Sequence, residues 1–181
     1  MIRIYDHDDH GHPTEYKRWG PTARFDHHRN NPGNPGHDPD RGVYHAAFDL
    51  AVCVTEVFGD RRSITCANKR VVRVRVEHDL HLIDLRGPGA MLVGSVAALS
   101  ATADRPLSQA WARYLYEHPA IDPPAHGLIY TSAHNGGDAL VLFERAGPRL
   151  TALADERLDH PYFRADLENI ALEHNIIFDH S

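Results

Sequence analysis

The sequence contains few cysteines and no long apolar segment. Cys53 and Cys66 are the only two, and their spacing fits neither a CxxC redox motif nor a zinc knuckle. Two such thiols also cannot form the dense disulfide framework of small secreted domains, so a reducing cytoplasm is the expected setting. No apolar run approaches the roughly 18 residues that cross a bilayer, and the acidic start MIRIYDHDDHGH lacks the apolar core of a signal peptide. We expect a soluble protein that contacts no membrane.

Excess positive charge is absent as well. The 19 Lys and Arg residues are outnumbered by 25 Asp and Glu residues, and the formal net charge is −6. Proteins that neutralise a nucleic-acid backbone usually concentrate basic residues on one face, so direct nucleic-acid binding is not expected. The 181 residues, 42% of them hydrophobic, suffice for one domain with a substantial core.

The N-terminal part of the chain is polar and rich in prolines. After a short strand at residues 2–5, residues 6–41 contain many His, Asp, Asn, Gly and Pro residues. Proline removes a backbone donor and restricts the residue before it, which predicts long loops around one short extended piece at residues 23–27. Loops of this length in a compact domain usually carry function or are disordered, and the Arg24-Phe25 pair favours function.

From residue 42 onward, hydrophobic spacing predicts a mixed domain of the α+β class. Strand patterns cover residues 43–46, 71–76, 81–85, 127–131 and 139–144. Helical patterns cover residues 47–58, 91–101, 108–117 and 167–177, and the segment 87–89 (Gly-Pro-Gly) indicates a turn. We interpret residues 1–181 as a single domain, with a core at about 1–146 and a C-terminal helical extension at about 160–178.

Glu56 is unusual for its helix, because Val52, Cys53, Val54 and Val57 around it are apolar. A carboxylate with little water around it needs a cationic or hydrogen-bonding partner, and such carboxylates are over-represented at active sites. The helix by itself favours a structural ion pair and a catalytic role equally.

Two arginines are candidates for binding an anion. Arg24 lies where the polar loops meet the core, and Arg3 lies on the first strand. The planar guanidinium group matches the geometry of a phosphate or a carboxylate. Either arginine could instead be a surface residue or a structural ion-pair partner.

Three further residues are candidates for contacting a ligand. Tyr44, on the strand before the Glu56 helix, can stack on a flat ring, although most strand tyrosines simply pack. Ser132 opens a Gly-Gly loop at a strand end but lacks the GxSxG context of a hydrolase nucleophile. Gln109 could line a pocket or belong to the core of its helix.

The 15 histidines raise a metal hypothesis, with His7, His10 and His12 near the start and His27-His28 further on. A metal site needs convergent ligands, and neither HExxH nor another compact zinc signature is present. Scattered loop histidines are more often solvated, so no metal site is predicted.

Taken in order, these residues resemble the pattern of the RES domain family. Arg3 on an early strand is followed by Arg24 in an ARF segment, Tyr44 in GVYHAA, Glu56 in VTEVF and Ser132 in IYTSA. The likeness extends over most of the chain, from about residue 1 to about residue 146. Residues 22–26 (TARFD) depart from the Gly-Gly-Arg-Trp-Asn type of segment that many relatives have there. No single motif is specific to this family, but the ordered set of residues is much stronger evidence of membership than any one of them.

The resemblance implies a fold akin to ADP-ribosyltransferase toxins and cleavage of NAD at the nicotinamide–ribose bond by water or inorganic phosphate. NAD would then be the substrate and not a cofactor, in agreement with the absence of a GxGxxG turn. It also implies an Xre-type antitoxin as partner, and it leaves a homodimer open.

The resemblance and the residue types together assign roles to six side chains. Glu56 and Arg24 are expected to be catalytic, and the substrate-binding candidates are Arg3, Tyr44, Ser132 and Gln109. Three rival functions stay open: an ADP-ribosyltransferase that modifies a macromolecule, a non-catalytic binding module that uses the long loops, and a metal-dependent hydrolase.

Overall fold

A computed structural model describes residues 1–8, 11–118 and 121–179 of the chain. It contains a mixed β-sheet with helices, which confirms the predicted single mixed domain. Within the described residues the strands are β1 (Ile2–Asp6), β2 (Trp19–Gly20), β3 (Gly36–His37), β4 (Val43–Ala47), β5 (Ser63–Ile64), β6 (Lys69–Val76), β7 (Leu82–Asp84), β8 (Gly127–Thr131), β9 (Asp138–Phe143), β10 (Leu150–Arg157) and β11 (Ile177–Phe178). The helices are α1 (Leu50–Phe58), α2 (Gly87–Leu92), α3 (Arg105–Glu117) and α4 (Pro161–Glu173), with 3₁₀ turns at Ala97–Ser100 and Glu144–Arg149.

The described part of the chain forms one large sheet of seven strands in the order β10-β6-β1-β4-β9-β8-β7. Strands β7 and β8 are parallel, and the other neighbours in this sheet are antiparallel. Small two-stranded sheets pair β5 with β11 and β2 with β3.

Each face of the large sheet packs a separate set of apolar side chains, because successive residues of a strand point to opposite faces. On one face, Val54 of α1, Leu115 of α3 and Leu167 of α4 pack in a cluster with Ile4 and Val141 of the sheet. The opposite face carries a second cluster, formed by Tyr5, Tyr16, Tyr44, Ala46, Val72, Val74, Ile129, Leu140, Leu142 and Ala146. The helices therefore lie over one face of the sheet.

The sheet opens at its centre, between β1 and β4. Ile2 pairs with Ala47, and no further pair joins these two strands in the described residues. By contrast, β1 pairs with β6 over five residues and β4 pairs with β9 over five residues. Lys17 pairs with Val43 at the start of β4, and between this bridge and Ala47 the diverging strands border a cavity.

Several predicted element boundaries are wrong. The predicted helix at 47–58 begins three residues later, because Ala47 still belongs to β4 and Asp49 caps the helix. The predicted turn at 87–89 is the first turn of α2, and the predicted helix at 91–101 is interrupted by Gly94, whose φ of +80° leaves the helical region.

Two further predicted elements, one near each end of the chain, also differ from the structure. The extended piece predicted at 23–27 is a turn, since Phe25 has a φ of +62°. The terminal helix covers Pro161–Glu173 and not residues 167–177, and strand β11 follows it.

Candidate active site

Helix α1 places Glu56 beside the opening between β1 and β4. The helix begins at the Asp49 cap, whose side chain accepts a hydrogen bond from the backbone N–H of Val52. Its apolar residues Val52, Val54 and Phe58 are buried against the sheet, which holds the helix in one orientation. Glu56 lies between the buried and exposed sides of the helix and is half-buried.

Two hydroxyl groups hold the Glu56 carboxylate. Tyr130 Oη donates to Glu56 Oε2 at 2.9 Å, and Ser132 Oγ donates to Glu56 Oε1 at 2.5 Å. Burial and the nearby negative charge of Glu56 raise the pKa of Tyr130 well above its ordinary value, so its phenol remains a donor. Ser132 itself is buried and accepts from the backbone N–H of His134 at 3.2 Å, which leaves its hydroxyl proton for Glu56. The carboxylate is thus fixed by hydrogen bonds, and it forms no ion pair with the residues that the structure describes.

Arg24 approaches the same cavity from the N-terminal loops. One of its guanidinium nitrogens donates to the backbone oxygen of Ser100. The loop around it is held by Gln109, whose Nε2 donates to the carbonyl of Ala23 at 3.0 Å. Phe25, the next residue, is fully buried, and its ring lies 4.9 Å from the ring of Tyr130. These contacts hold the Arg24 loop against Tyr130, the residue that also donates a hydrogen bond to Glu56.

The cavity between these elements has a volume of about 240 Å³. Its wall combines charged and aromatic side chains with apolar strand residues, a composition typical of small-molecule sites. It is lined by Ile4, Ala23, Arg24, His45, Ala46, Ala47, Cys53, Glu56, Val57, Asp60, Arg105, Tyr130 and His134. The predicted catalytic residues Glu56 and Arg24 therefore share one cavity, with Ser132 directly behind the carboxylate.

Arg3 borders a second cavity of about 150 Å³ that shares Ile4, His45 and Val57 with the first. Its side chain is buried, donates to the carbonyl of Glu15 at 2.5 Å and stacks on the ring of Tyr44 at 4.2 Å. Burial lowers the pKa of Arg3 from its ordinary value. No carboxylate of the described residues forms an ion pair with this guanidinium. The structure thus places Arg3 next to the Glu56 cavity but not in it.

The structure does not support the predicted role of Tyr44 as a substrate-binding residue. It is fully buried in the second apolar cluster, and its hydroxyl donates to the carbonyl of Pro13 at 3.0 Å. Its ring therefore cannot stack on a ligand in the Glu56 cavity, because strand alternation turns it to the opposite face of the sheet. Gln109 is a second correction, since it is buried and supports the Arg24 loop without lining the cavity.

The sequence prediction missed five polar residues that line the cavity: His45, Asp60, Arg105, Tyr130 and His134. Arg105 forms an ion pair with Asp60, and His134 lies 3.7 Å from the same carboxylate. Alternation places His45 and Tyr44 on opposite faces of β4, but only the tertiary structure shows that the cavity lies on the face of His45. Asp60 and Arg105 carry no comparable signal, since they meet only in the tertiary structure.

The histidines that were considered as metal ligands and lie in the described part of the chain do not converge. His10 lies outside the described residues. His27 and His28 are both buried, with ring centroids 6.1 Å apart. Among the residues that the structure describes, no group of three or more His, Cys, Asp or Glu side chains has the arrangement of a metal site. The described helices also include none with the length and apolar character needed to cross a membrane.

Comparisons with known proteins agree with the ordered residue pattern. The family model described as RES domain matches residues 2–166. The chain belongs to the RES domain family. A protein of Sinorhizobium fredii (strain NBRC 101917 / NGR234), described as "Probable toxin y4kH", is 32% identical to this RES domain over 89 residues. That match covers 49% of this chain and 64% of the relative, so the RES domain spans somewhat less than two thirds of it.

A solved structure resembles the RES domain in fold. It is the crystal structure of the M. tuberculosis MbcT-MbcA toxin-antitoxin complex, with a TM-score of 0.51 and 18% sequence identity. The match covers 69% of this chain and 70% of the other chain. The RES domain therefore shares its mixed α/β fold with a chain of this toxin-antitoxin complex.

Proposed function

We propose that this chain cleaves NAD at the nicotinamide–ribose bond and transfers the ADP-ribose part to water or inorganic phosphate. NAD is the substrate, inorganic phosphate is the co-substrate if phosphorolysis is the reaction, and no cofactor is required. The observation that carries the proposal is the Glu56 carboxylate, held by Tyr130 and Ser132 at the wall of a cavity that also contains Arg24.

The chemistry of the leaving group explains why a fixed carboxylate can promote cleavage of the nicotinamide–ribose bond. The nicotinamide of NAD is cationic in the substrate and leaves as a neutral molecule, so no general acid has to protonate it. The ribose then carries positive charge in an oxocarbenium-like transition state, and a nearby carboxylate stabilises that charge. Tyr130 and Ser132 keep Glu56 oriented before the reaction, so little reorganisation is needed when the charge develops.

Arg24 and Arg3 supply positive charge for the substrate's phosphates. Arg24 lines the Glu56 cavity, and Arg3 borders the adjoining one. A buried guanidinium without a carboxylate partner is costly, and a phosphate group would provide the missing counter-charge. We assign the pyrophosphate of NAD, or an attacking phosphate, to these two arginines.

The relatives support a biological setting for this reaction. The Sinorhizobium relative is described as a probable toxin, and the structural neighbour comes from a toxin-antitoxin complex. We propose that this chain is the toxin of such a pair and acts in the cytoplasm, with an Xre-type antitoxin covering the cavity. A homodimer also remains a prediction, to be tested by measuring the mass of the purified protein in solution.

The function is tested by incubating purified protein with NAD and measuring released nicotinamide, with and without phosphate. Glu56→Gln is expected to lower kcat by about 10²- to 10³-fold, because the amide cannot stabilise positive charge. Glu168→Gln, on an exposed turn of α4, is the matched control and should retain the wild-type rate. Full turnover in Glu56→Gln would contradict the proposal, and so would a wild type that releases no nicotinamide.

The products of the same reaction identify the acceptor. With NAD labelled in the adenine part, hydrolysis gives free ADP-ribose and phosphorolysis gives its phosphate ester. Label that appears on a macromolecule would instead support an ADP-ribosyltransferase, which uses the same intermediate with another acceptor.

A further inference from the structure

His45 occupies the junction of the two cavities. It lies on β4, where its side chain faces the opening between β1 and β4, and it lines both the Glu56 cavity and the Arg3 cavity. The side chain is 34% exposed, so solvent or a ligand can reach it. The role assigned above to Glu56 does not involve this imidazole, although the two side chains share one cavity wall.

The orientation of the His45 ring is set by Asp26. Asp26 is completely buried, and its Oδ2 accepts three hydrogen bonds, from Lys17 Nζ at 2.7 Å, Thr22 N at 2.7 Å and Ala23 N at 2.9 Å. Its other oxygen, Oδ1, accepts from His45 Nε2 at 3.0 Å.

Asp26 also determines which nitrogen of His45 carries the proton. Burial alone raises the pKa of Asp26, but Lys17, His45 and the Ala23 backbone hold it well below its usual range. An ionised carboxylate can only accept, so Nε2 of a neutral His45 carries the hydrogen and Nδ1 keeps its lone pair. His45 Nδ1 forms no hydrogen bond with the described residues. It is also not one of the fully buried side-chain atoms that lack a partner, so a ligand can reach it. A histidine held by a buried aspartate, with its second nitrogen free, is the arrangement that general bases use.

We propose that His45 is the general base for the acceptor in this reaction, with Asp26 as its positioning residue. The inference rests on the proposed cleavage of NAD. As the bond between nicotinamide nitrogen and ribose C1′ breaks, its electron pair leaves with neutral nicotinamide. The acceptor oxygen of water, or of a protonated phosphate, bonds to C1′ and gives its proton to His45 Nδ1. Solvent then removes that proton, which restores the neutral ring for the next turnover.

The charges around His45 are mixed. Besides Asp26, the two cavities present the acidic side chains of Glu56, Asp6 and Asp60. The positive groups are more numerous and come from several elements: Arg3 on β1, Lys17 and Arg24 on the N-terminal loops, Lys69 on β6 and Arg105 on α3. Tyr5, Cys53, Tyr130 and His134 complete the titratable groups that line these cavities.

The test compares wild type with His45→Gln across pH 5 to pH 9, with nicotinamide release as the readout. Loss of the base is expected to lower kcat by about 10²-fold at pH 8, with little change in KM for NAD. The ratio of wild-type kcat to variant kcat should fall towards one as the pH is lowered, because a protonated imidazole cannot accept a proton from the acceptor. Because a ratio is used, the titration of phosphate itself cancels. His78→Gln, at an exposed position after β6, is the matched control and should follow the wild-type profile.

A second variant separates a base from a structural residue. In His45→Ala, free imidazole added to the assay should restore part of the lost rate, which a merely structural defect would not allow. Circular dichroism at each pH verifies that the variants are folded. Unchanged kcat in His45→Gln, or a constant ratio across pH without imidazole rescue, would overturn the role of His45 and leave NAD cleavage intact. A wild type that releases no nicotinamide would overturn both proposals.

Discussion

At the residue scale, the position of the Glu56 carboxylate, which the proposed reaction requires, depends on the hydrogen bonds that hold it. Glu56 receives one from Tyr130 and one from Ser132, and both donors come from β8 or the residue that follows it. A hydrogen bond to a charged group contributes about 1.5–3 kcal/mol, so losing one allows the carboxylate to move away from the position it needs. Ser132 does not line the cavity, and its effect on the reaction must pass through Glu56.

Removing the serine hydroxyl is therefore expected to weaken catalysis without abolishing it. In Ser132→Ala, kcat for nicotinamide release should fall by about 10- to 100-fold, which corresponds to the loss of one charge-assisted hydrogen bond. KM for NAD should change little, because this hydroxyl does not face the substrate. Ser108→Ala is the control, since that buried serine bonds only within its own helix, to the carbonyl of Arg105 at 2.9 Å. Equal kcat in Ser132→Ala and wild type would contradict this positioning role.

At the element scale, the cavity depends on how α1 packs against the loop between β8 and β9. That loop is closed by hydrogen bonds from Ser132 N to Gly137 O at 2.8 Å and from Gly136 N to Ser132 O at 3.0 Å. Gly137 approaches α1 so closely that a Cβ there would lie 2.3 Å from Cγ2 of Val52. A glycine is required at position 137 by packing, because the methyl group of Val52 occupies the space that a Cβ would need. Its backbone conformation does not require glycine, because its φ lies outside the left-handed region.

Gly137→Ala is expected to push α1 and the loop apart. The overlap should lower the free energy of unfolding by about 1–3 kcal/mol, as seen when extra carbon atoms enter a packed core. Adding Val52→Ala to this variant removes the clashing methyl, so the double variant should be more stable than the sum of the two single effects. Urea unfolding measures all three, and Gly11→Ala, with no atom within 4 Å of its Cβ, is the control. Strictly additive effects would mean that the two residues do not compete for space.

At the scale of the whole molecule, the polar N-terminal loops are joined to the sheet by buried ionisable groups. His27 is fully buried, with Nε2 3.1 Å from Glu144 Oε2, and Tyr116 Oη donates to Glu144 Oε1 at 2.5 Å. Although burial alone raises the pKa of Glu144, His27, Tyr116 and the backbone N–H of Gly42 lower it to about 2. This carboxylate stabilises the fold above its unfolded value near 4.5, and the contribution is lost only as the pH falls towards 2.

Between pH 7 and pH 5 the histidines decide how stability depends on pH. Burial lowers the pKa values of His27 and His28, and those of His126 and the Met1 amino group shift the same way. The unfolded chain therefore binds more protons than the folded one below about pH 6.5, so stability must fall as the pH falls. Each histidine contributes at most about 1.4 kcal/mol per pH unit.

Urea unfolding at pH 7, 6 and 5 measures this slope. We expect the free energy of unfolding to decrease on acidification and the slope to be smaller in His28→Gln. His78→Gln should keep the wild-type slope, because that side chain is exposed. Equal or greater stability at pH 5 would show that the buried histidines accept protons within the fold.

The family and the main catalytic candidate were predictable from the sequence. Helical spacing singled out Glu56 among apolar neighbours, and the order of Arg24, Glu56 and Ser132 resembled the family whose model matches residues 2–166. Such features survive in a linear sequence because they depend on residue type and on spacing along the chain. Most strands were found for the same reason, since alternation is a local property.

The tertiary structure alone decided which residues reach the cavity. Tyr44 and His45 are adjacent in sequence, yet the divergence of β1 from β4 exposes His45 to the cavity and leaves Tyr44 buried on the other face. Asp26 and His45 are 19 positions apart, and their hydrogen bond exists only because the polar loops fold back over the opened sheet. The amino-acid sequence by itself determined the composition, the local elements and the carboxylate. The opening of the sheet and the partners around it were decided by long-range packing, which no local pattern encodes.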